Sequence, residues 1–114
     1  MRLSDDPKTA TWLSNLNGDS ASFDWDDGNR GKCRKHRVDD REIESLFAHP
    51  YLFAGRIVEP AHDERRWLVL GEDDGGRRLA LIFTRRNDRL RPISCRPMRK
   101  EERAVYEKAI QADD

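Results

Sequence analysis

Nine basic residues lie between Arg77 and Lys100, namely Arg77, Arg78, Arg85, Arg86, Arg89, Arg91, Arg96, Arg99 and Lys100, against the single acid Asp88. Eight of the nine are arginine, whose planar fork donates paired hydrogen bonds to phosphate and stacks on bases. The stretch Tyr51 to Gly75 has the opposite balance, three arginines against six acids. With 22 basic and 22 acidic residues the chain is formally neutral, so its charge is polarised along the sequence rather than in excess. Clustered arginine points to a phosphate-contacting surface whose affinity falls steeply with salt. A merely solvated sheet face, or a surface covered by an acidic protein, are the other readings of the same residues.

The groups able to move protons are few. His36 carries an imidazole with an unperturbed pKa of about 6.5, suited to a general acid or base near neutral pH, and Lys35 beside it adds positive charge. Glu102 and Tyr106 are the next candidates, with rival readings as a helix-start acid and a core aromatic. His49 and His62 have no evident companions. Cys33 and Cys95 are far apart with no CxxC spacing, which argues against a disulfide or a zinc site. Asp24, Asp26 and Asp27 are packed too closely on a strand and turn to converge on one ion. Neither a metal nor a cofactor is expected.

These residues need elements to carry them. At 114 residues, 36% hydrophobic and 39% charged, the chain suits one small domain with a thin core. Residues 1 to 22 read as a peripheral or disordered extension, with Trp12, Leu13 and Leu16 on one side of two possible helical turns. Phe23-Asp-Trp-Asp alternates like a short strand. Asp39 or Asp40 opens a helix reaching Ala48, with Ile43, Leu46 and Phe47 on one face and Pro50 beyond its end. Tyr51 to Val58 suits a loop and a short strand. Arg66 to Gly71, Arg78 to Thr84 and Leu90 to Arg96 read as three strands joined by tight turns, an antiparallel meander. Pro92 puts the last strand at an edge or gives it a bulge. Met98 to Gln111 reads as a helix with Met98, Val105, Ala109, Tyr106 and Ile110 on its apolar side. The expected fold class is α+β, a small antiparallel meander with helices packed on one face. Alternation places Arg86 and Arg96 on adjacent strands where both reach the open face.

The motifs, taken in order, resemble the BrnT family of bacterial toxins, ribonucleases of type II toxin–antitoxin modules with a RelE-like fold. The F-x-W-D signature is matched by Phe23, Trp25 and Asp26. A Lys-His-Gly-hydrophobic segment is matched by Lys35, His36 and Val38, with Arg37 where that family has Gly, and Phe47 follows eleven residues after the His. Arg66, Trp67, Leu70 and Gly71 match a central strand motif, and Phe83-Thr84-Arg85-Arg86 matches F-T-x-R. The R-x-I-S-A-R segment appears as Arg91-Pro92-Ile93-Ser94-Cys95-Arg96, with Glu102 and Tyr106 after it. The segment between Trp25 and His36 is one residue short of the family pattern. The resemblance covers Phe23 to Tyr106 and implies a single toxin domain over residues 23 to 112.

The resemblance implies metal-independent endoribonuclease activity, in which the substrate's 2′-OH attacks the phosphorus. The implied catalytic set is His36, Arg86, Arg96, Glu102, Tyr106 and Lys35, with Arg85, Arg91, Arg99 and Lys100 contacting RNA. The implied partners are the RNA substrate, a cognate antitoxin, and promoter DNA through that antitoxin. A non-catalytic nucleic-acid-binding module, or a degenerate antitoxin-docking protein, is the alternative. No run approaches the roughly 20 apolar residues that cross a bilayer, and a cytoplasmic protein with no membrane partner is expected.

Overall fold

The computed structural model describes residues 1–16 and 18–112. Five strands, β1 (Arg2–Ser4), β2 (Tyr51–Glu59), β3 (Trp67–Glu72), β4 (Arg78–Arg86) and β5 (Arg89–Pro97), form one antiparallel sheet in chain order. The helices are α1 (Pro7–Ser14), α2 (Asp40–Ser45) and α3 (Lys100–Ala112), with short 3-10 segments at Ser20–Ser22, Lys32–His36 and Leu46–Ala48. This is the α+β class with the meander that the strand and turn patterns imply.

The helices, however, divide between the two faces of the sheet instead of gathering on one. Trp67 and Val69 of β3 face one core, with Leu81 and Phe83 of β4, Leu13 of α1, Cys33, and Ile43 and Leu46 from the α2 region. Leu68, Leu70 and Ala80 face the other, against Met98 and Tyr106. Side chains alternate along a strand, so the unbroken apolar run Trp67–Leu70 needs cover on both sides. Helix α3 supplies the second cover over β2 and β3. It turns Tyr106, Ala109 and Ile110 to the sheet at helical spacing, while Val105 is 56% exposed.

The first 22 residues, which the sequence reads as peripheral or disordered, contribute two elements to the fold. β1 pairs with β2, and Leu13 of α1 is 1% exposed. Asp6 joins them to the sheet: its carboxylate caps α1 by accepting from the Thr9 amide at 3.1 Å and accepts from the Trp67 indole at 2.8 Å. β2 is one nine-residue strand rather than a loop and a short strand, with an irregularity between Phe53 and Gly55. Gly55 lies at φ +125°, and a Cβ there would sit 2.7 Å from the Ser4 carbonyl oxygen, so β1 can approach only a glycine.

Other local features follow their residues closely. Asp39 caps α2 through a reciprocal box with Glu42, at 2.8 and 3.2 Å. Asn87 and Asp88, both at positive φ, make the two-residue turn between β4 and β5. Pro92 sits in the last strand beside an irregularity in which Ile82 faces Ser94 and Phe83 faces Pro92, leaving Ile93 as the extra residue.

Arg37 follows the 3-10 segment at φ 59° and ψ 37°, a left-handed conformation that disfavours any residue with a Cβ. This is the position where the family pattern that the sequence resembles has glycine. Arg37→Gly should therefore raise stability by roughly 0.5–1 kcal/mol, with the glycine's added unfolded-state entropy offsetting part of the relief. Urea unfolding of both proteins checks this, and an equally or less stable variant would contradict it.

Candidate functional site

Residues 23 to 33 lie along the outer edge of β5 and satisfy its unpaired backbone groups. The Asp24 amide donates to the Leu90 carbonyl at 2.8 Å, the Asn29 side-chain amide donates to the Pro92 carbonyl at 3.1 Å, and the Cys95 amide donates to Cys33 Sγ at 3.1 Å. Asn29 is 5% exposed and also holds its own loop, accepting from the Asp26 amide and donating to the Asp24 carbonyl. Both cysteines are buried and free. Burial pushes the Cys95 thiol up to about 12, so this pair is packing and edge cover, not a nucleophile. Cys33 anchors the 3-10 segment that carries Lys35 and His36 beside β5.

The strands carry the arginines. Ala80, Ile82, Thr84 and Arg86 alternate onto the α3 side of β4, and their β5 partners Arg96, Ser94, Arg91 and Arg89 are in register with them. Three arginines of these two strands each fork onto a carboxylate. Arg86 donates to Glu64 at 2.9 and 3.0 Å, Arg91 to Asp26 at 3.0 and 3.0 Å, and Arg96 to Glu102 at 2.7 and 3.0 Å. Helix α3 packs chiefly on β2 and β3, which leaves this half of the face open.

The pairs differ in what they leave free. The Arg91 side chain is 9% exposed and also lies 3.6 Å from Asp24, so it clamps the edge segment against β5. A guanidinium has five N–H groups. Arg86 uses two of them on Glu64, and among the described residues the rest have no hydrogen-bond partner. Arg96 uses two on Glu102 and one, at 3.3 Å, on the Pro97 carbonyl. Glu102 in turn accepts from the Arg99 amide at 2.8 Å, fixing the start of α3. Burial by itself raises the Glu102 carboxyl, but the Arg96 hydrogen bonds, the Arg99 amide and the charges of both arginines outweigh it and hold its pKa below the ordinary value. For Asp26 the Arg91 hydrogen bonds are the leading cause of a lowered pKa, and for Glu64 those of Arg86.

The remaining candidates are spread around this row. Tyr106 is 2% exposed and its hydroxyl donates to the Pro50 carbonyl at 3.2 Å, an environment that suits a core residue. Arg85 points to the opposite face, where it pairs with Asp88 and stacks over the Trp12 ring at 4.5 Å. Arg99 and Lys100 are exposed at the start of α3. Lys35 is exposed and His36 half-buried, and among the described residues no hydrogen bond joins either to the arginine row. The carboxylate partners Asp26 and Glu64 are absent from the sequence-derived set. Asp26 carries a signal in the F-x-W-D motif, whereas Glu64 lies in a loop 22 residues from Arg86 with none.

A family model described as "Ribonuclease toxin, BrnT, of type II toxin-antitoxin system" matches residues 25–102, from the edge segment through Glu102. No curated protein matches the chain.

The Arg96–Glu102 pair is testable by titration. A carboxylate with a lowered folded pKa adds stability that is present above its unfolded pKa and lost as pH falls through the folded value. In Arg96→Ala the burial remains while the guanidinium is gone, so the Glu102 carboxyl should move up from its position in the native protein. NMR titration of the Glu102 side-chain carbon reads this directly, and an unmoved carboxyl in the variant would contradict the pairing.

Proposed function

The chain belongs to the BrnT family of ribonuclease toxins of type II toxin–antitoxin systems, and from that premise we propose that it cuts RNA without a metal, on the open half of the α3 face. The observation that carries this reading is the row of forked arginines on β4 and β5, with Glu102 at one end. RNA supplies its own nucleophile. The 2′-oxygen attacks the adjacent phosphorus, the bond from phosphorus to the 5′-oxygen breaks, and that oxygen takes a proton. The products are a 2′,3′-cyclic phosphate and a 5′-hydroxyl.

The protein's part is positioning, charge stabilisation and proton transfer. Arg96, pre-oriented by Glu102, directs its free N–H groups at the non-bridging oxygens as negative charge builds there, while Arg86, paired across the strands with Arg89 and roughly 20 Å from Arg96 at the usual strand rise, holds a neighbouring phosphate. His36 exchanges the proton of the 2′-hydroxyl or the leaving oxygen, and Lys35 adds positive charge beside it. Glu102 holds Arg96 and is the second proton-transfer group, because the Tyr106 hydroxyl is already engaged at Pro50. Arg91 keeps the edge segment in place, and Arg99 and Lys100 extend the phosphate track. A cognate antitoxin neutralises the toxin, and promoter DNA is bound through that antitoxin. The reaction is cytoplasmic.

One observation favours the alternative of a catalytically degenerate antitoxin-docking protein. Each arginine of the row is already neutralised by a carboxylate, and a phosphate must compete with those carboxylates. The two readings separate on purified protein incubated with mixed-sequence single-stranded RNA in excess EDTA. We expect fragments ending in cyclic phosphate, with rates falling about 10²-fold or more in His36→Ala and Arg96→Ala. Intact RNA from folded protein, with and without ribosomes, would overturn the enzyme reading.

A further inference from the structure

The fold moves the effective positive charge away from where the sequence concentrates it. Of the nine basic residues between Arg77 and Lys100, six are ion-paired: Arg77, Arg78, Arg85, Arg86, Arg91 and Arg96. Most of their carboxylates come from distant segments, as with Glu42, Glu64, Asp26 and Glu107. Of the other three, Arg99 and Lys100 are exposed at the start of α3 and Arg89 opens β5. Among the described residues, Arg30, Arg41 and Arg89 make no salt bridge, and all three line one open cleft of about 470 Å³. Phe23 and Trp25 form its aromatic wall.

Three separate parts of the chain deliver these arginines. Arg30 comes from the turn after the edge segment, Arg41 from α2, and Arg89 from the start of β5. The cleft also contains two acids, and both are occupied by neutral donors. Asp40 accepts from the Gly31 amide at 3.0 and 3.2 Å, and Glu44 accepts from the Trp25 indole at 2.9 Å. Three guanidinium groups against two carboxylates leave the cleft a net positive charge, and the carboxylates' hydrogen-bonding positions are partly taken, which favours an anion beside the arginines. Arg89 and Arg96 stand at opposite ends of β5, seven residues and roughly 20 Å apart at the usual strand rise. A ligand reaching both must be an extended polyanion.

We propose that the Arg30–Arg41–Arg89 cleft is a phosphate-binding subsite that holds single-stranded RNA flanking the cleaved bond. This rests on the ribonuclease reading for the identity of the ligand. The strand is gripped at the start of β5 and cut towards its far end, so the subsite sets affinity for long substrates.

The test uses a short single-stranded RNA with every 2′-OH methylated, which cannot be cleaved, and fluorescence anisotropy between about 50 and 200 mM salt. The variant is Arg30→Ala/Arg41→Ala/Arg89→Ala, whose side chains are exposed and make no side-chain hydrogen bonds among the described residues. The control is Lys8→Ala/Arg103→Ala/Lys108→Ala, which removes the same charge from α1 and α3. The cleft variant should bind at least about tenfold more weakly, with a log–log salt slope shallower by roughly 2, at about 0.7 for each phosphate no longer neutralised. The control should keep the native affinity. Native-like binding by the cleft variant, an equal weakening in the control, or no binding by the native protein would each overturn the subsite. Cleavage of unmodified RNA, followed in parallel, separates this from the catalytic reading. Native protein that binds at the cleft but never cuts supports the subsite and sinks the enzyme, whereas cutting with unchanged variant binding does the reverse.

Discussion

The outer edge of β5 has to be closed before any other part of the site can be placed. β5 is the last strand of the sheet, and its outward amide and carbonyl groups would otherwise remain unpaired. The chain closes that edge with residues from far upstream: the Asp24 amide, the Asn29 side chain and the Cys33 sulfur each take one group. Leaving a buried backbone group unsatisfied costs about 1–3 kcal/mol, so the register of this segment is strongly held. Arg91 adds a nearly buried fork onto Asp26. Together these interactions bring Lys35 and His36 to β5.

The second organising feature is the pairing of arginine with carboxylate. An exposed ion pair is worth little to stability, but a forked pair fixes the direction of a guanidinium at low conformational cost. Arg86 and Arg96 are held in this way with N–H groups to spare, whereas Arg91 is enclosed and serves the fold. The same pairing explains why a stretch with nine basic residues does not make a correspondingly strong field. Arg30, Arg41 and Arg89, on the turn, α2 and the first residue of β5, make no salt bridge among the described residues and share one cleft.

Much of this was legible in the residues themselves. The meander from Trp67 to Arg96, the capped helix at Asp40 and the edge or bulge at Pro92 follow from alternation, turn chemistry and the missing proline amide. The shared face of Arg86 and Arg96 depends on alternation together with the extra residue Ile93, without which Arg96 would turn to the other side. What could not be read depends on partners distant in sequence. Nothing local marks Asp6 as the partner of Trp67, 61 residues away, yet that bond ties α1 to the sheet. Helix α3 could be recognised as a helix, but which face of the sheet it covers depends on the two-sided apolar run of β3. Asn29 and Cys33 look like scattered residues until β5 is laid beside them. Arg37 shows its left-handed backbone only in three dimensions, and that conformation explains why the family pattern has glycine there but not why this chain has arginine.

The central claim is that the substrate's own hydroxyl does the cutting while the protein supplies position and charge. Its most direct measurement is a matched pair of RNA oligonucleotides, identical except that the nucleotide on the 5′ side of a mapped cleavage position carries hydrogen in place of its 2′-OH. The account predicts that the deoxy oligonucleotide binds as well as its partner and is not cut at that position, while cleavage elsewhere persists. Cutting at the deoxy position, at the same rate and with the same ends, would contradict it.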